Sequence, residues 1–335
     1  MMHRIAVDAM GGDHAPSVIV RGAVAALQDR DDFVLHLVGD EEQVRRELEP
    51  LQYDTSRVEV LHTSEVIGMG EPPVEALRQK RDSSLLKIAK MAAAKEVDAI
   101  LSAGNTGAFV AACQLKLRPL PGIVRAGVAV AIPSFYGPFV LCDCGANIQP
   151  KPVHLHQYGV MASLYAQKLL GIEQPRVAVL SVGEESEKGT VLVKQTQELL
   201  RDEERVNFVG NVEGRELFEG VCDVALCDGF VGNLMLKFVE GVAEGFFRTI
   251  RAEIQEQSHD PQIRETFNKT LERVWSRHDY TEYGGAPLLG VDGACIICHG
   301  RSNEQAIRNA VAVGCRFLAS NLNQVIAERF GSEEG

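Results

Sequence analysis

The chain contains no apolar run approaching the roughly 20 residues that cross a bilayer, so no segment reads as a transmembrane helix. A basic leader with an apolar stretch behind it is also missing. MMHRIAVDAMGGDHAP reaches Asp8 and the Gly11-Gly12 pair at once, and a cytoplasmic location is the expectation. Cations are in the minority: 34 Lys and Arg stand against 46 Asp and Glu, a formal net charge of -12. That balance argues against nucleic acid, which is held mainly by cations on phosphates. The G-x-G-x-x-G spacing of a dinucleotide turn, a P-loop and the G-x-S-x-G elbow of a serine acyl-enzyme do not occur, so neither a nucleotide cofactor nor an acyl-serine intermediate has support. Low-complexity segments, linkers and internal repeats are absent too.

Cysteine is present, eight times, but not in a pattern that works. Cys295-Ile296-Ile297-Cys298-His299 matches a haem-attachment spacing, yet that chemistry requires an exported chain. Ala294 to Cys298 reads instead as a buried strand with cysteine as a small apolar residue. Cys142 and Cys144 lack a second close-spaced pair of ligands, no other His or carboxylate spacing has a ligand signature, and disulfides do not suit a reducing compartment. Neither a metal nor a cofactor is expected.

What the chain does have is alternation. Short apolar runs (RIAVDA, FVLHLVG, VEVLH, DAILSAG, GVAVAIP, FVLCDCG, RVAVLSVG, VNFVGN, DVALCDG, ACIICHG) separate longer helical patterns. This predicts an α/β chain, taken as one domain over 1–335, with a largely parallel sheet covered by helices on both faces. Ligands in such sheets sit beyond the carboxyl ends of the strands. The clusters DAMGGD, SAGNTG, CDCGAN, SVGEE, GNVEG and CDGFVGN are therefore expected to converge on one crevice, lined by Asp8, Gly11, Gly12, Asp13, Asp143, Asn147, Lys188, Asp228 and Gly229 among others. Residues 234–280 break the alternation. Leu236, Val239, Val242, Phe246, Phe247, Ile250 and Ile254 recur at helical spacing, and a second helical stretch follows SHDP. A protruding helical hairpin is predicted, burying its apolar stripe against a second copy in a four-helix bundle.

The strongest local signal is DAILSAGNTG. A strand that breaks into small polar residues before a helix aims unpaired N–H groups and the positive helix end at an anion. Thr106 is the expected N-cap, and Gly104 and Gly107 permit close approach. Phosphate or an acyl oxyanion is the natural guest. Asn233 and Lys237, opening the long helix after CDGFVG, can offer an amide donor and a point charge. His299, before a helix capped by Ser302 or Asn303, can act as acid or base. The basic run Arg78, Lys80, Arg81, Lys87 and Lys90 can meet an acidic partner.

Taken in order, DAMGGDHAP, EPPVEALRQKRDSS, DAILSAGNTGA, LCDCGAN, RVAVLSVGEESEKG, FVGNVEGRE, DVALCDGFVGNLMLK, YGGAPLLGVDG and HGRSNEQAIRNA resemble the bacterial acyl-carrier-protein:phosphate acyltransferase (PlsX) family across essentially the whole chain. The resemblance implies transfer of a fatty acyl group from acyl carrier protein to inorganic phosphate, giving acyl phosphate for phospholipid synthesis. It implies a homodimer with a three-layer αβα Rossmann-like fold, related to phosphate acetyltransferases and isocitrate-dehydrogenase-type enzymes. Under this reading Ser102, Gly104, Asn105, Thr106 and Gly107 cradle phosphate, Asn233 and Lys237 polarise, and His299 or Lys188 protonates the departing thiol. Peripheral contact with anionic membrane and a downstream glycerol-phosphate acyltransferase are further partners it suggests. The hairpin connection EQSHDPQIRE is polar, which disfavours tip insertion and leaves Arg264, Lys269, Arg273 and Arg277 for lipid heads. Two rival readings are a metal- and NAD-dependent decarboxylating dehydrogenase on a related fold, and a non-catalytic scaffold for lipid synthesis.

Overall fold

In this computed structural model residues 2–257, 260–278 and 284–331 are described. In chain order the elements are β1 (His3–Asp8), α1 (Ser17–Asp29), β2 (Phe33–Gly39), α2 (Glu41–Leu48), β3 (Val58–His62), α3 (Pro73–Gln79), α4 (Ser84–Ala93), β4 (Ala99–Ser102) and α5 (Thr106–Lys116). There follow β5 (Gly127–Ser134), β6 (Gly137–Cys142), α6 (Pro152–Leu169), β7 (Arg176–Ser181), α7 (Val191–Arg201), β8 (Asn207–Glu213) and β9 (Val224–Leu226). The chain ends with α8 (Gly229–Gln257), α9 (Pro261–His278), β10 (Ala286–Leu289), β11 (Ala294–Ile297), α10 (Glu304–Ala319) and α11 (Leu322–Gly331).

The strands are apolar on both sides because both sides are covered. Successive strand residues point to opposite faces. Along β1, Ile5 and Val7 enter one core cluster and Ala6 the other; along β6, Val140 and Cys142 part in the same way from Phe139 and Leu141. Two apolar layers on one sheet make the three-layer α/β architecture expected from the alternation.

One sheet holds all eleven described strands in the order β3-β2-β1-β4-β11-β10-β5-β6-β9-β7-β8. Pairing is parallel except where β10 meets β11 and β5, and where β5 meets β6. Two of these exceptions are hairpins, β5–β6 with Gly137 at φ of +116° and β10–β11 with Gly290 at φ of +92°, a region favourable to glycine; β10 meets β5 across a long separation in sequence. β10 was not among the runs read from the sequence. The topology places β4, β11, β5, β6 and β9 in the middle of the sheet and sends β7 and β8 to one edge.

The helical hairpin is present as α8 and α9. α8 starts five residues earlier than the apolar periodicity suggests, because Asp228 accepts from the N–H groups of Phe230 and Val231 at 3.0 and 2.9 Å and caps the helix there. Among the described residues no helix is long and apolar enough to cross a membrane.

Candidate functional site

Two helices begin at one hollow at the carboxyl ends of the central strands, and a third passes along it. Thr106 opens α5, Asn233 and Lys237 lie in the first turns of α8, and Ser302 and Ala306 mark the start of α10; all line a cavity of about 110 Å³ together with His299 and Glu240. The starts of α5 and α10 at this hollow, with the Lys237 cation from farther along α8, favour an anion there.

The floor under α5 is built by buried polar groups that satisfy one another. Ser102 Oγ donates to Asp8 Oδ2 at 2.7 Å and accepts from the Gly104 N–H at 3.1 Å. Asp8 also accepts from the Met10 N–H, and its burial raises its pKa from the ordinary carboxylate value. Gly11 packs on this pair so tightly that a Cβ there would lie 2.7 Å from Gly104 N. Asp8, Ser102 and Gly11 therefore shape the turn and do not line the hollow.

The cap of α5 is Asn105 and not Thr106. Asn105 Oδ1 accepts from the Ala108 N–H at 3.0 Å, while its amide donates to the carbonyls of Met69 and Glu71 at 3.1 and 2.9 Å. Both ends of this side chain are used by the protein itself. Asn105 thus ties the 68–71 loop to the anion-facing helix start, and Thr106, freed from capping, is exposed at the cavity. Gly107 abuts Pro73, where a Cβ would sit 2.8 Å from Cγ.

A second frame supports α8. Asp143 is fully buried; it accepts from the N–H groups of Val128, Ala146 and Asn147 at 2.9, 3.0 and 2.6 Å. The Asn147 amide reaches the Ala126 carbonyl and Tyr158 Oη at 2.7 and 2.6 Å, and its own carbonyl accepts from the Gly229 N–H. Gly232 sits against this loop where a Cβ would be 2.0 Å from the Asp143 carbonyl oxygen. Asp143, Asn147, Asp228 and Gly229 place α8 so that Asn233 and Lys237 face the cavity; none of the four lines it.

Lys237 Nζ donates to Glu240 Oε2 at 2.9 Å, and His299 Nε2 lies 3.8 Å from the same oxygen. His299 Nδ1 accepts from the Arg301 N–H at 3.2 Å, which requires Nδ1 to be unprotonated and leaves the ring proton on Nε2. Burial, then the Lys237 cation, lowers the pKa of His299 from its ordinary value. The shift disfavours the imidazolium, and with Nδ1 accepting, the ring offers an Nε2–H donor. Asp13 stands near, exposed, with its N–H donating to the Gly300 carbonyl. Asn303, not Ser302, caps α10.

The expected convergence of six strand-end clusters is only partly met. SVGEE and GNVEG lie at the β7–β8 edge, where Asn211 donates to the Glu185 carbonyl and the Glu184 and Glu216 carboxyls interact with each other. Lys188 belongs to that edge and does not line the cavity. Gly12 packs between Ala103 and Gly300 with φ of +119°. Sequence reasoning missed Glu240; its signal is the one-turn spacing from Lys237 on the same helix face. The run from Ala294 to Cys298 is buried as expected, with Cys295 and Cys298 inside, and burial pushes the Cys298 thiol up to about 12.

A larger apolar groove of about 510 Å³ adjoins this cavity. Both are lined by Leu236 and Glu240. Ile132, Phe218, Phe238 and Phe246 supply much of its apolar wall.

Comparison with known proteins bears on this arrangement. A family model described as fatty acid synthesis protein matches residues 3–325. The chain is 44% identical over 331 residues to a phosphate acyltransferase of Nitratidesulfovibrio vulgaris, covering 98% of this chain and 95% of that one. It is 41% identical to a phosphate acyltransferase of Dictyoglomus turgidum, covering 97% of each. A phosphotransacetylase from Streptococcus pyogenes shares the fold with a TM-score of 0.63 at 16% identity, over 95% of this chain and 94% of that one. The chain belongs to the fatty acid synthesis protein family, whose curated relatives here are phosphate acyltransferases.

Proposed function

We propose that this phosphate acyltransferase uses the cavity between α5, α8 and α10 to join inorganic phosphate to a fatty acyl group delivered as an acyl-carrier thioester. The observation that carries the reading is the meeting, at Leu236 and Glu240, of a hollow that offers Lys237, Asn233, Thr106 and His299 with an apolar groove. A phosphate in the hollow is within reach of the Lys237 ammonium, the Asn233 amide, the Thr106 hydroxyl and His299 Nε2–H. The acyl chain lies along the groove, each buried methylene contributing about 0.8 kcal/mol.

Hydrogenphosphate is already a nucleophile, so the protein's work is positioning and charge stabilisation. One phosphate oxygen forms the C–O bond to the thioester carbonyl carbon, and the C–S bond breaks as the tetrahedral intermediate collapses. Asn233 and neutral His299 donate to the oxyanion of that intermediate. The proton that hydrogenphosphate gives up ends on the departing thiolate, so no net proton is consumed.

The carrier, an acidic partner for a chain of net charge -12, would need the exposed cations Arg78, Arg81 and Lys90 to approach. Lys80 is already engaged by Glu71. Contact of α9 with anionic lipid would fall to Arg264, Lys269 and Arg273; the side chain of Arg277 lies outside the described residues. A downstream glycerol-phosphate acyltransferase is the natural recipient of the product.

The test is to incubate the purified chain with acyl-carrier thioester and phosphate. Acyl phosphate and free carrier thiol in equal amounts are expected, together with a fall of about 100-fold in turnover for K237M. Thiol release that does not depend on phosphate would overturn the reading.

A further inference from the structure

A carboxylate inside a phosphate seat needs a reason. Glu240 is the acidic residue among the described residues lining the cavity, and its side chain is only 9% exposed. Oε2 is occupied by Lys237 at 2.9 Å. Oε1 is buried with no hydrogen-bond partner, and His299 Nε2, at 3.8 Å from Oε2, is too far to bond the carboxylate. A buried acceptor left open is costly. Facing a fully ionised oxyanion it would also be repulsive. Both costs vanish if the arriving anion carries a proton of its own.

We propose that Glu240 makes the cavity selective for oxyanions that bring a hydrogen: Oε1 accepts the P–OH of hydrogenphosphate while Lys237 and His299 take its ionised oxygens. Sulfate has the same shape and size but holds no proton at neutral pH, so it meets Glu240 as like charge against like charge. Arsenate, which keeps a proton, is admitted. The charge pattern is then complete: two donors and one acceptor address an ion with ionised oxygens and one hydroxyl. This inference rests on the reading of the cavity as the phosphate seat.

Equilibrium binding of phosphate and of sulfate, at constant ionic strength and without acyl donor, separates the two claims. The intact chain is expected to bind phosphate and to reject sulfate. E240Q, whose amide can turn a donor to the ligand, should gain about tenfold in sulfate affinity and lose about tenfold for phosphate. E240D, which keeps the carboxylate, should keep the preference for phosphate, and sulfate should inhibit turnover competitively in E240Q alone. A phosphate-to-sulfate ratio unchanged in a folded E240Q would overturn the role of Glu240 and leave the seat standing. An intact chain that binds neither ion would overturn the seat and the selectivity together.

Discussion

At the scale of the residue, the state of His299 decides what it can do. Its Nδ1 accepts from a backbone N–H, and burial with the Lys237 cation lowers its pKa from the ordinary histidine value. The unfolded chain therefore binds the proton more readily than the folded one, so stability rises with pH until the ordinary value near 6.5 is passed. Activity should share the sign: as pH falls through the lowered pKa, the imidazolium loses the Arg301 contact and kcat/KM declines. H299Q, which retains an N–H donor, should keep turnover within about tenfold and lose that acid limb, whereas H299A should lose about 100-fold at every pH. Parallel pH-rate profiles of the three proteins check this; an acid limb that persists in H299Q assigns it elsewhere. His299, Asn233 and Lys237 were legible because each stands beside a strand end and a helix start. Glu240 was not, since in a linear reading it is one acid of 46 Asp and Glu and only the helix turn brings it to Lys237.

At the scale of the element, the start of each helix carries the site, and small differences in capping decide which side chains face the ligand. Asn and Thr are both good caps, so the letters Asn105-Thr106 do not reveal which residue turns inward. The three-dimensional answer depends on the 68–71 loop, whose carbonyls claim the Asn105 amide. Two variants separate the jobs of that side chain. N105A should lose about 1 kcal/mol of stability with the cap and loosen the loop. N105D, which caps as well, should keep the cap yet show a KM for phosphate raised about tenfold, because a carboxylate cannot donate to Met69 and Glu71. Thermal denaturation and phosphate titration of both proteins check this, and an N105D protein that matches the parent in both would assign Asn105 to capping alone. β10 escaped notice for a related reason: four residues with a proline, between glycines, show neither alternation nor a continuous β-branched run. Its strandhood is fixed by antiparallel neighbours, and one of them, β5, is far away in sequence.

At the scale of the whole molecule, the helical hairpin leaves a debt of apolar surface. Phe230, Leu234, Phe238, Val242 and Phe246 follow one another at every fourth position of α8 and are between 54% and 69% exposed. Ile263 and Phe267 of α9 are 46% and 52% exposed. A 29-residue helix is about 43 Å long, too long a stripe for a small ligand to cover, and its spacing suits helix-on-helix packing. Phe238, Val242 and Phe246 also wall the groove given to the acyl chain, so a second copy presenting the same stripe would close that groove from outside, with two-fold symmetry, as a four-helix bundle. Light scattering on the intact chain should accordingly give twice the 36.6 kDa of one chain. F267E, placed on α9 away from the groove-lining residues, should shift that mass to a single chain at micromolar concentration, since a charge buried without a partner in the bundle is strongly unfavourable. A chain that scatters as a monomer before any substitution would mean that the stripe is covered by something other than its own copy.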